Sequence, residues 1–232
     1  MPPEIVETLP NGLTFHHFSG GDQPVCRLQI LFSGGQAEIG NRLTGRIMLS
    51  ALAEGTADIS TEAFADRIDY NGVRIGSQCH NHYSSLTIAM LNHRVAEILP
   101  LIAEMLAKPL FPQNRIDTML QSAKTQLEIA DSEVSTLAEY ASDAMAMGAD
   151  HPLARRLTCS DIDAVCREDI VSLHRRMICA EKSHAYLSGR LDSATIDAVR
   201  AMLSGINQSA QGFETNIIPY ICLLYTSAAA DD

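Results

Sequence analysis

The chain has 232 residues, enough for one large domain or two small ones, and 46% of them are hydrophobic against 19% charged, which excludes global disorder. The formal net charge is −11, from 28 acidic residues against 17 Lys and Arg, so a nucleic-acid or anionic-membrane surface is not expected. No uninterrupted apolar run approaches the ~18 residues that a membrane-spanning helix requires.

Asn11-Gly12 is a turn signal ahead of Leu13–Phe18, which reads as a first strand. Val25–Ser33 is rich in β-formers and reads as a second strand, broken by Gly34-Gly35 and Gly40. Arg42–Ala53 has Leu43, Ile47, Ala51 and Leu52 at helical spacing, and Gly55 ends that helix. Ser60 is a good N-cap for the next helix, which turns Phe64, Ile68 and Tyr70 inward and stops at Asn71-Gly72. Val73–Cys79 and Ser84–Leu91 form a hairpin through a His80–Tyr83 turn.

His93–Ala107 places Val95, Ile98, Leu99, Ile102 and Leu106 on one helical face, with Pro100 expected to bend the helix or shift its start. Pro109 and Pro112 bracket a connector. Asn114–Met147 reads as one long helix, with Ile116, Leu120, Ala123, Leu127, Ala130, Val134, Leu137 and Ala141 in register. Gly148 and Pro152 end it. Short helices follow at Asp161–Val165 and Arg167–Met177. Ala185–Ser188 is a strand, Ser193–Leu203 a helix, and Phe213–Ile218 a last apolar segment. The order predicts an α+β fold, with a mostly antiparallel sheet packed against helices and no internal repeat.

Several side-chain groups could carry chemistry. Cys79, His80 and His82 surround the hairpin turn, and His80 and His82 could share a metal if both lay in a strand; two surface histidines at a turn is the simpler reading. His16 and His17 are adjacent in a strand, point to opposite faces and make a poor metal pair. Arg155-Arg156 and His174-Arg175-Arg176 are basic islands in an acidic chain, either solvated helix faces or a docking patch for an acidic partner. No G-x-S-x-G elbow and no G-x-x-x-x-G-K or G-x-G-x-x-G phosphate loop occurs. Six cysteines are scattered with no C-x-x-C pair, and residues 1–15 have neither a basic n-region nor an apolar h-region. Reduced thiols and a cytoplasmic location are therefore expected.

Leu43–Thr56, LTGRIMLSALAEGT, organises the rest. It resembles the first motif helix of the pitrilysin/insulinase-like (inverzincin, M16-type) zinc peptidases, which carries H-x-x-E-H and ends in Gly-Thr. Glu54-Gly55-Thr56 matches that ending. Counting back from Gly55 puts the three motif positions at Arg46, Leu49 and Ser50, expected on one side of the helix. In the motif two histidines one turn apart hold zinc, and the Glu polarises the bound water. Arg46 is a permanent cation without a lone pair, Leu49 is neither acid nor base, and Ser50 is a poor zinc ligand.

Further matches lie in family order at Asn11-Gly12-Leu13, Gly72, Pro109-Leu110-Phe111-Pro112, His151-Pro152, Leu173-His174 with Met177, and Ala185–Gly189 with Asp192. The resemblance spans Asn11 to Ile218. It implies a fold like the half-domains of the mitochondrial processing peptidase. It also implies a third zinc ligand, a Glu on the long helix. Counting lands at Leu127, with Glu128 one residue away and Glu133 six.

By this resemblance residues 1–220 are an N-terminal half-domain, truncated before a second similar domain. Cys222–Ser227, CLLYTS, resembles a translated sequencing adapter, so residues 221–232 are expected to be a non-native tail. The implied function is that of a catalytically silent half. It pairs with an active M16-type peptidase subunit or with its own missing C-terminal half in processing peptide substrates. No cofactor is then expected in this chain, although the family uses zinc. Two alternatives stay open: an active zinc metallopeptidase whose metal site is displaced or completed by a partner, and a binding module of the same fold without a peptidase partner.

Overall fold

Strand alternation sets the core. In the computed structural model, which describes residues 3–207 and 212–214, Cys26, Leu28, Ile30 and Phe32 are buried along Val25–Ser33, while Arg27 is exposed and Gln29 half-buried. The strands are β1 (Ile5–Thr8), β2 (Thr14–Ser19), β3 (Val25–Ser33), β4 (Arg74–Cys79), β5 (Tyr83–Leu91) and β6 (His184–Gly189). They form one six-stranded sheet in the order β1-β2-β6-β3-β5-β4. Every neighbouring pair is antiparallel except β2 with β6, which is parallel. The fold is thus α+β with a mixed, mostly antiparallel sheet.

The helices are α1 (Arg42–Ala51), α2 (Thr61–Tyr70), α3 (Val95–Ala107), α4 (Gln113–Ser132), α5 (Val134–Met147), α6 (Cys159–Asp163), α7 (Arg167–Met177) and α8 (Ser193–Ser204). Local chemistry starts several of them. Asn41 Oδ1 accepts from the Leu43 N–H at the head of α1, Ser60 Oγ from Ala63 at α2, and Asp192 Oδ1 from Thr195 at α8. Thr158 and Asp161 form a reciprocal capping box at α6. α1 packs on α7, β4 and α4, and α3 packs on α8. Their buried side chains join those of the strands in one core that includes Leu43, Ile47, Leu86, Ile102 and Leu187.

The structure departs from the sequence expectations in four places. β1 was not anticipated; Ile5 and Val6 are 53% and 52% exposed, as befits a short edge strand. The expected single helix over Asn114–Met147 breaks at Glu133, whose backbone is extended at φ −94°, ψ 118°. Just before it, Ser132 Oγ donates to the Ile129 carbonyl at 2.7 Å, the local competition that weakens polar helix ends. Beyond the break Val134 and Leu137 are 81% and 39% exposed, because α5 has no buried residue and so no core-facing side. Tyr70 points outward under the Arg94 guanidinium, 5.5 Å from its ring centre, not into the core. Pro100 sits inside α3, which a 3-10 turn at Asn92–Arg94 precedes. The expected segment Phe213–Ile218 is described only at Phe213 and Glu214, and the tail from Cys222 lies outside the described residues.

Candidate functional site

α1 is fixed at both ends. Asn41 Nδ2 donates to the Asp161 carbonyl at 2.7 Å, linking the helix start to α6. At the other end Gly55 takes φ +102°, where an added Cβ would lie 2.8 Å from the Ile59 carbonyl oxygen. Thr56 is buried, bridges Pro109 and donates from Oγ1 to Glu104 of α3. Gly55 accepts from the Leu110 N–H at 3.0 Å. The Glu54-Gly55-Thr56 ending thus clamps α1 onto the Pro109–Pro112 connector, and Arg115 of α4 reaches back to Glu54 at 2.6 Å. Gly45 allows the helix to approach β4; a Cβ there would lie 2.8 Å from Ile39 Cδ1 and 3.2 Å from Cys79 Sγ.

Arg46 and Ser50 are exposed on one face of α1, as their spacing predicts. Leu49 is not with them: it is 2% exposed and belongs to the core. The exposed face looks onto α4 across two adjoining clefts. One, of about 210 Å³, is lined by Arg42, Arg46, Gln126 and Tyr140 among others. The other, of about 170 Å³, includes Arg46, Ser50, Ser122 and Gln126. Neither Glu128 nor Glu133 lines them. Glu128 is exposed elsewhere on α4, and Glu133 accepts from Thr136 Oγ1 at 3.2 Å at the helix break. Gln126 is the polar residue of α4 that borders both clefts, beside the buried Ala123, and the Met119, Ser122, Gln126 stripe at helical spacing was the available signal for it. A guanidinium, a hydroxyl and a carboxamide are the polar groups here. They do not fit a zinc ion, which wants imidazole, thiolate or carboxylate donors.

His80 and His82 occupy the turn between β4 and β5 and not a strand, so they do not share a face. His80 Nε2 lies 3.1 Å from Ser85 Oγ, and its ring stacks on Tyr83 at 4.3 Å. His82 Nδ1 pairs with the buried Glu38 carboxylate at 2.8 Å. Glu38 also accepts from the Gly35 N–H at 2.9 Å. Cys79 is buried beside them, and burial pushes its thiol above the ordinary value. Among the described residues no group of three or more metal-ligating side chains converges.

The basic islands separate in space. Arg155 pairs with Asp161, and Arg156 pairs with Asp131 and lies over the Tyr140 ring. His174 is buried in α7, Arg175 lines a larger cavity of about 690 Å³ between α3, α7 and the end of α8, and Arg176 stacks on Phe213 at 3.8 Å. That cavity shares no residue with α1.

No protein-family model and no curated protein matches the sequence. Solved structures do match. The M16 peptidase inactive domain from Pseudomonas fluorescens superposes with a TM-score of 0.83 at 18% identity, over 92% of this chain and 53% of that one. A protease from Helicobacter pylori gives 0.74 at 14% identity, over 94% of this chain and 53% of that one. The periplasmic protease PqqL from Escherichia coli gives 0.79 at 13% identity, over 94% of this chain and 25% of that one. At these identities the likeness shows the fold: the chain is built as an M16-like half-domain. It spans about half the length of the first two neighbours. Among the described residues no helix is long and apolar enough to cross a membrane, and the PqqL neighbour is periplasmic, which lends no support to the expected cytoplasmic location.

Proposed function

We propose that this chain is a catalytically silent half-domain that pairs with an active M16-type zinc-peptidase domain or subunit in peptide or protein processing. On this reading residues 1–220 are one half of a two-half enzyme, and residues 221–232 are a non-native tail. The observation that carries it is the α1–α4 seam. There the fold is retained around Gly55-Thr56, and the polar groups lining the seam, Arg46, Ser50 and Gln126 among them, include no His, Cys, Asp or Glu. The inactive-domain neighbour of the same fold adds support, as does the partial coverage of the first neighbours, which leaves room for a second half. A silent half contributes by closing a chamber and holding the substrate in position for chemistry done elsewhere.

The test mixes the purified chain with a chain of the same fold that carries an intact H-x-x-E-H motif. Sedimentation should show a defined hetero-complex, and peptide cleavage by the active chain should rise. No association and no change in rate would leave a binding module of the same fold as the better reading. One zinc per chain by elemental analysis, lost on His80→Ala, would instead favour a displaced active site.

A further inference from the structure

The parallel pairing of β2 with β6 sets His16 level with Tyr186 and Thr14 level with His184. All of these project from the sheet face opposite Phe15, Ala185 and Leu187, which are buried. His16 Nε2 lies 3.3 Å from His184 Nδ1. His16 Nδ1 lies 2.7 Å from Glu4 Oε1. Tyr186 stacks on the His16 ring at 4.4 Å, which limits its rotation. His17, the sequence neighbour, is buried on the other face and takes no part.

We propose that His16 and His184 form a binding site for a divalent transition-metal ion, independent of the α1–α4 seam. Three features point that way. Two imidazole nitrogens held ~2.0–2.1 Å from a tetrahedral ion stand ~3.3 Å apart, the separation found here. The Glu4 carboxylate accepts a hydrogen bond from His16 Nδ1–H, the tautomer that leaves the Nε2 lone pair toward His184; this is the carboxylate–histidine support that ligating imidazoles commonly have. The rings come from neighbouring strands of one sheet, so their spacing is set by the backbone ladder. Two protein ligands leave the remaining coordination positions to water, so binding is exchangeable and follows the order in which Cu²⁺ exceeds Ni²⁺ and Zn²⁺.

The test titrates the full chain with Cu²⁺ and Ni²⁺ by calorimetry at pH 7.5. One equivalent should bind. His16→Asn or His184→Asn should weaken it by at least about tenfold, Glu4→Gln by about tenfold, and His93→Asn should leave it unchanged. Cu²⁺ should broaden the amide signals of residues 14–18 and 184–188 in the unsubstituted chain first, a readout that needs no variant to fold. Absence of binding, equal loss in all four variants, or broadening centred on His80 and His82 would each overturn the proposal.

Discussion

His174 Nε2 donates to the Leu106 carbonyl oxygen across 2.9 Å, tying α7 to α3 in the buried core. The ring also meets Phe111 edge-on, with centres 5.4 Å apart. Burial lowers the His174 pKa below its ordinary value, so the ring is neutral in the folded chain. The unfolded chain therefore binds the proton more readily, and stability falls as pH drops below ~6.5 toward the lowered folded value. The melting temperature of the native chain should fall more steeply from pH 7 to pH 5 than that of His174→Gln. At pH 7.5, His174→Ala should cost ~1–3 kcal/mol, because the Leu106 carbonyl loses its donor. Equal pH slopes in the two proteins would show that His174 does not titrate on unfolding.

Gly55 carries the second prediction. Its φ of +102° and the 2.8 Å approach to the Ile59 carbonyl leave no room for a side chain. Gly55→Ala should lower the urea midpoint by the equivalent of more than ~1 kcal/mol, while Gly12→Ala, with nothing near its Cβ, should lose less despite its φ of +85°. Equal losses would mean that backbone conformation alone matters at both positions.

The end of the chain tests the proposal that residues 221–232 are not native. Phe213 is 4% exposed and lies under Arg176. Phe213→Ala should cost ~3–5 kcal/mol, a fall of several degrees in melting temperature for a chain of this size. A chain ending at Tyr220 should melt no lower than the full one. A fall of several degrees on that shortening would show that residues 221–232 pack as native structure.

These contrasts reflect what a one-dimensional pattern carries. Strand β3 was legible because Cys26, Leu28, Ile30 and Phe32 recur at every second position of a run rich in β-formers, and α7 because its apolar spacing is unbroken. The exposure of Val134 and Leu137 was not legible, since periodicity reports a stripe and not whether anything packs against it. The seam shows the same limit more sharply. A helix turns ~100° per residue, so counting to Leu127 instead of Gln126 exchanges an exposed carboxamide for a buried apolar side chain, 7% exposed, at the floor of the same cleft. Leu49, set beside Arg46 and Ser50 by the count, likewise lies far enough round the helix to be buried. The nearness of His184 to His16 depends on a parallel pairing across 168 residues that no local pattern encodes.

The seam itself gives the last prediction. Restoring all three motif positions would place a carboxylate at Leu49, which is 2% exposed, and burying that charge without a partner is costly. Arg46→His, Ser50→His and Gln126→Glu together avoid this, since all three positions are on the exposed face of the seam and Gln126 borders both clefts. The triple variant should stay folded and bind one zinc ion, because two histidines one helical turn apart and a facing carboxylate are a known zinc donor set. It should show little or no peptidase activity, since Leu49 supplies no base to activate the metal-bound water. Calorimetric titration with Zn²⁺, beside the Arg46→His, Ser50→His double variant, measures the contribution of the third ligand. If the folded triple variant takes up no more zinc than the native chain, α1 is not the counterpart of a metal-bearing helix, and the silent-half reading loses its main support.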